Sequence, residues 1–169
     1  MCHDKTEFGV IQKVLSVVDK RREELGARVA GRDIENGLED VVSVFEAVLK
    51  IITIKHLANN GMSHDEISKR LEKIRNSYQN INSAGETFHA QTGLDLFHNT
   101  SQDEVETLRT IFEKRHPLTH NLGVVDKKYL ERVRTGDTEG REIRVTAQEV
   151  EIAIGISKKI ISSVYNLCT

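Results

Sequence analysis

The chain has 169 residues and carries 24 Lys and Arg against 26 Asp and Glu, a formal net charge of −2. That length suits one domain around a single core, and the near-neutral balance argues against a protein that coats nucleic acid by bulk electrostatics. Trp is absent, aromatic residues make up 5% and there is a single Pro, a profile that favours helices over an aromatic-rich β-sandwich.

Helical spacing predicts a first amphipathic helix with Phe8, Ile11, Val14, Leu15, Val18 and Leu25 on one face and Asp19, Lys20, Arg21 and Glu23 on the other. A stronger stripe of Ile34, Leu38, Val41, Val42, Phe45, Val48, Leu49 and Ile52 predicts a long second helix that stops near Asn59-Asn60-Gly61. Ser63 followed by Glu66 has capping-box spacing and predicts a third helix with Ile67, Leu71, Ile74 and Tyr78 facing inward. Residues 79–100 are rich in Asn, Ser, Thr and Gly and read as a loop holding a short helix around 86–91. Ser101 with Glu104 opens another helix, bearing Val105, Leu108, Ile111 and Phe112. Further on, Asp126 caps a short helix with Tyr129, Leu130 and Val133, and residues 136–140 read as a turn. Residues 141–145 alternate polar and apolar, as a small extended segment does. Thr146 with Glu149 opens the last helix, which carries Val150, Ala153, Ile154, Ile160, Ile161, Val164 and Leu167. The expected fold is all-α, a single helical bundle of about five main helices over residues 1–169, without repeat or linker.

Cys2 and Cys168 lie near opposite ends with no Cys/His ligand spacing, so neither a disulfide framework nor a zinc site is expected and a reducing interior fits. No apolar leader is present, and the most apolar stretch, residues 41–54, is interrupted by Glu46 and Lys50. No membrane span is expected, and a cytoplasmic location is the default. The abrupt opening Met1-Cys2-His3-Asp4 suits a chain trimmed from a longer protein.

Residues 115–121, Arg115-His116-Pro117-Leu118-Thr119-His120-Asn121, concentrate one guanidinium, two imidazoles and an amide. A guanidinium offers a permanently charged fork for phosphate oxygens, and an imidazole exchanges a proton near neutral pH. The two together suit phosphodiester chemistry. On an ideal helix, residues five apart diverge by roughly 140°, at about 100° per residue. Pro117 disfavours helical geometry at His116, so two geometries stand open: a new helix starting at Pro117, whose free N–H groups favour phosphate, or a mild kink in one continuous helix.

Arg115, the polar His116 and His120 match the Rx4-6H signature of HEPN domains. The chain resembles these all-helical modules in length and helix pattern, and residues 122–130 are similar to the continuation of the motif in some bacterial members. Pro117 departs from the motif. The resemblance implies a metal-independent endoribonuclease of toxin or phage-defence type, in which an RNA 2′-hydroxyl attacks the adjacent phosphorus to leave a 2′,3′-cyclic phosphate and a 5′-hydroxyl. It implies no cofactor, His120 in proton transfer, and Arg115 orienting the phosphate and stabilising its charge. His116, in the polar second position, would hold Arg115 or touch substrate. It also implies a homodimer in which two motifs face each other, with an antitoxin or other protein as a further partner. Asn121 lies outside the signature and is read as a donor to substrate. Glu46, at the edge of the second helix's stripe, is either a support within reach of Arg115 or a solvated flank.

From residue 114 through 144 there are eight basic and five acidic residues, a local net charge of +3 that would steer a polyanion to the motif. Plainer readings stand beside the catalytic one: Arg115 paired with a carboxylate at a helix end, His120 capping a carbonyl, and the whole chain a catalytically silent HEPN-like module that dimerises or holds a partner. His3, His56, His64, His89 and His98 are scattered and read as surface residues. Residues 57–71 superficially resemble a helix-turn-helix, but the start of the would-be recognition helix is His64-Asp65-Glu66, whose carboxylates repel phosphate.

Overall fold

The computed structural model of the chain describes residues 2–133 and 136–168, and the side chains of residues 2–6 and 120 lie outside that description. Nine α-helices and one 3-10 turn occur among the described residues: α1 Cys2–Ser16, α2 Val18–Leu25, α3 Ala27–Asn59, α4 His64–Ile74, the 3-10 turn Ser77–Gln79, α5 Ile81–Thr92, α6 Gln102–Glu113, α7 Arg115–His120, α8 Lys127–Arg132 and α9 Ala147–Cys168. The all-α expectation holds. The number of helices exceeds the five main ones expected because several predicted helices are divided or flanked by short ones.

The first predicted helix is broken at Val17, where φ −110 and ψ 5 interrupt the run between α1 and α2. Gly26, at φ 90, then separates α2 from α3, and Leu25 just before it is exposed rather than inward. Without Gly26 the left-handed turn would carry a Cβ penalty. Beyond it, α3 runs for 33 residues, a rod about 50 Å long at 1.5 Å per residue. Its stripe of Ile34, Leu38, Val41, Val42, Phe45, Leu49 and Ile52 is buried against α1, α2 and α9, while α6 closes on α9. Phe45 of α3 and Phe112 of α6 meet edge to face, with ring centroids 5.6 Å apart and planes at 86°, the arrangement their quadrupoles prefer.

The three predicted capping boxes are present. Ser63 and Glu66 open α4, Ser101 and Glu104 open α6, and the Thr146 hydroxyl and Glu149 carboxylate exchange the same reciprocal bonds before α9. α4 ends at Ile74, short of Tyr78, which instead sits buried in the 3-10 turn. Thr53 of α3 gives its hydroxyl proton to Leu49 O at 2.9 Å, so the Tyr78 hydroxyl donates to Thr53 Oγ1 at 2.8 Å. Burial pushes the Tyr78 pKa up, which keeps that donor protonated. This buried pair pins the 3-10 turn, and Gln79 with it, against the middle of α3.

Residues 79–100 hold more helix than their composition suggests. Asn80 caps α5 by accepting from Ser83 N–H at 3.1 Å, and Ile81, Ala84 and Phe88 form a short buried stripe among small polar residues. Gly85 is required there, because a Cβ would come within 2.8 Å of the Phe97 ring.

Val125, Tyr129, Val133 and Ile143 form a second, small apolar cluster, and Leu118 of α7 packs against both it and the main core. The segment expected to be extended at 141–145 makes an isolated antiparallel bridge, Val124 to Glu142, with Val125 N–H to Arg141 O at 2.9 Å and Ile143 N–H to Gly123 O at 2.7 Å. No strand forms among the described residues, since two bonded residues per side are too few for a ladder. No described helix is long and apolar enough to cross a membrane.

Candidate functional site

Pro117 neither ends α6 nor starts a helix. Lys114 keeps right-handed helical dihedrals, φ −57 and ψ −27, in the one-residue break between α6 and α7, so the new short helix begins at Arg115, two residues before Pro117, and is neither a helix starting at Pro117 nor one continuous helix. Pro117 falls third in α7, in the first turn, where its missing N–H removes little. Its carbonyl accepts from Asn121 N–H at 3.0 Å and from Gly123 N–H at 2.8 Å. That closure passes through two left-handed residues, Leu122 at φ 53 and Gly123 at φ 78. Leu122 consequently projects outward, 96% exposed.

Arg115 reaches back from α7 toward α3 and the 3-10 turn. Its Nη1 donates to Gln79 Oε1 at 2.8 Å, and its Nε lies 3.5 Å from Glu39 Oε2. Gln79 in turn donates through Nε2 to Glu46 Oε2 at 2.5 Å, and Lys50 Nζ donates to Glu46 Oε1 at 2.6 Å. The other Glu39 oxygen accepts from the Thr119 hydroxyl. A continuous polar chain therefore runs Lys50, Glu46, Gln79, Arg115, Glu39, Thr119. Glu46 is buried rather than a solvated flank, one side chain removed from Arg115, with Gln79 between them.

His116 is half-buried on α7. Asn121 is exposed and donates to Asp126 Oδ2 at 2.9 Å, so its amide ties the end of α7 to the cap of α8. The backbone of His120 completes α7, while its side chain, and with it the expected approach to Arg115, lies outside the described residues. Neighbouring charges are largely engaged: Lys114 binds Arg144 O at 2.9 Å and Glu149 at 2.6 Å, and Arg132 binds Glu113 at 3.2 Å. The local excess of +3 is thus partly neutralised by contacts from outside that stretch.

Glu39, Gln79 and Thr119 are the participants that sequence reading missed. Glu39, Glu46 and Lys50 recur at i, i+7 and i+11 along α3, one polar edge beside the apolar stripe, and that periodicity was a usable signal. Nothing local marks Gln79. Among the described residues no group of three His, Cys, Asp or Glu side chains is arranged to hold a metal ion. Comparison with family models, with curated proteins and with solved structures finds no match to this chain.

Proposed function

We propose that this chain is a HEPN-like endoribonuclease that cleaves single-stranded RNA without a metal ion, acting as a homodimer. The observation that carries the reading is the anchoring of Arg115: a half-buried guanidinium held by Gln79 and Glu39 on a six-residue helix that also contains His120. A cation fixed in this way pays little reorganisation when charge develops on a phosphate. In the proposed reaction the 2′-oxygen forms a bond to phosphorus as the bond to the 5′-oxygen breaks. One proton leaves the 2′-hydroxyl and one reaches the departing 5′-oxygen. A second copy of the motif would provide the second imidazole for this exchange, and exposed Leu122 beside the motif supports a partner surface.

The Glu39–Arg115 ion pair favours a second reading, in which Arg115 is a structural tie and the chain a silent dimerisation or partner-binding module. Labelled single-stranded RNA incubated with EDTA-treated protein separates the two. Cleavage leaving 2′,3′-cyclic phosphate ends, reduced at least a hundredfold in Arg115→Ala and in His120→Ala, is expected for the enzyme. Intact RNA of varied sequence after incubation with folded, dimeric protein would leave the module.

A further inference from the structure

A cleft of about 630 Å³ opens beside the motif, lined by Arg28, Arg32 and Glu35 of α3, Thr119 of α7, and the segments around Leu122 and Glu142. One observation ties it to Arg115 and another to the second apolar cluster. Thr119, in its wall, donates to Glu39, and the same carboxylate holds the Arg115 guanidinium. Gly123, also in the lining, is fixed by the bond from Ile143 N–H, so the wall opposite α3 is built on the small second core.

Arg28 and Arg32 are one turn apart on α3, about 6 Å along its axis, and both are exposed. Arg28 has no ion pair among the described residues. Arg32 has only the surface contact with Glu35 at 3.3 Å, worth on the order of 1 kcal/mol or less and easily exchanged. Glu35 and Glu142 give the cleft as many carboxylates as guanidiniums. A bare polyanion gains little from such a balanced lining. A nucleotide strand presents both phosphate oxygens and amino donors on its base edges, and matches both signs.

We infer that this cleft seats the nucleotides next to the scissile bond, with Arg28 and Arg32 meeting consecutive phosphates and Glu35 or Glu142 accepting from a base amino group. The inference rests on the nuclease reading for the position of the scissile bond. Because the guanidiniums lie along α3 and the motif on α7, the strand runs from the start of α3 toward Arg115.

Binding of a fluorescein-labelled single-stranded RNA, followed by anisotropy with the full chain carrying His120→Ala, tests it. Adding Arg28→Ala and Arg32→Ala together should weaken binding at least tenfold and flatten the dependence of log K on log salt by about 1.4, at roughly 0.7 per lost phosphate contact. Arg28→Lys with Arg32→Lys should restore most of both. Both side chains are exposed, so unchanged thermal melting serves as the folding control. Unchanged affinity and salt slope in the alanine pair, or no RNA binding by the parent chain, overturns the cleft. Arginine-dependent binding without any cleavage by the unsubstituted chain keeps the cleft and removes the nuclease. Cleavage with unaltered KM in the alanine pair does the reverse.

Discussion

Arg115 has five N–H donors, and Gln79 and Glu39 meet it from two sides, at Nη1 and Nε. Nη2 has no hydrogen-bond partner among the described residues, so the guanidinium is oriented while part of it remains available to an incoming anion. Gln79 decides the orientation, because its amide is itself locked by Glu46: the nitrogen donates to the carboxylate, and the oxygen must therefore face the guanidinium. Gln79→Ala should lower kcat for RNA cleavage on the order of tenfold to a hundredfold, as misplaced catalytic groups do, with a smaller change in KM. It should also cost roughly 1–3 kcal/mol of stability by leaving buried Glu46 short of a donor. Steady-state kinetics and urea unfolding of the same variant measure the two effects. A kcat equal to that of the parent would show that Arg115 needs no such guide.

At the scale of the element, the sequence signals that worked are those whose partners lie within one turn. Ser101 and Glu104 satisfy the first N–H groups of α6 reciprocally, and Lys159 of α9 donates to the same carboxylate at 2.7 Å. The Lys159 contact first, and the Ser101 bonds after it, pull the Glu104 pKa from an ordinary 4.5 to about 2. Its folded value is depressed, so its contribution to stability is full above about pH 4.5 and is lost as the pH falls through about 2. Carboxyl NMR should show Glu104 titrating near pH 2, with Lys159→Ala moving the midpoint back toward 4.5. Ser101→Ala should cost about 1 kcal/mol, measured by chemical denaturation. The signals that failed at this scale, the unbroken first helix and the missed length of α5, involve breaks and buried stripes of two or three residues. Val17 carries no breaker chemistry, and Ile81, Ala84 and Phe88 are diluted by polar neighbours.

At the scale of the molecule, α3 collects the two carboxylates and the lysine of the polar chain on one edge, and α7 is held beside that edge by the break at Lys114 and by Leu118 spanning two apolar clusters. The left-handed turn that follows holds Leu122 in a conformation that costs a branched side chain about 1–2 kcal/mol, with nearly all of its apolar surface in solvent. The homodimer proposed above would take this surface out of solvent. Leu122→Asn tolerates the left-handed conformation and removes the apolar surface. It should weaken the dimer at least tenfold, as read by sedimentation at several concentrations, and reduce the dependence of the melting temperature on protein concentration. A monomeric parent chain, or a dimer indifferent to the substitution, would remove that face from the proposed assembly.

The all-α class, the long central helix, the caps of α4, α6, α8 and α9 and the density of chemistry around Arg115 were all determined by sequence alone. Each depends on residues a turn or two apart, whose side chains meet wherever the helix goes. The course through Pro117 was left open by two permitted geometries, and the chain takes neither: a separate short helix begins at Arg115, with Leu118 packed into both apolar clusters. Tertiary structure alone decided what surrounds Arg115. Gln79 is 36 residues away, and it arrives there because a buried Tyr78–Thr53 hydrogen bond pins its turn to α3. The cleft is likewise a product of distance in sequence, since the start of α3, the end of α7 and the turn at Glu142 become neighbours only when the two apolar clusters close.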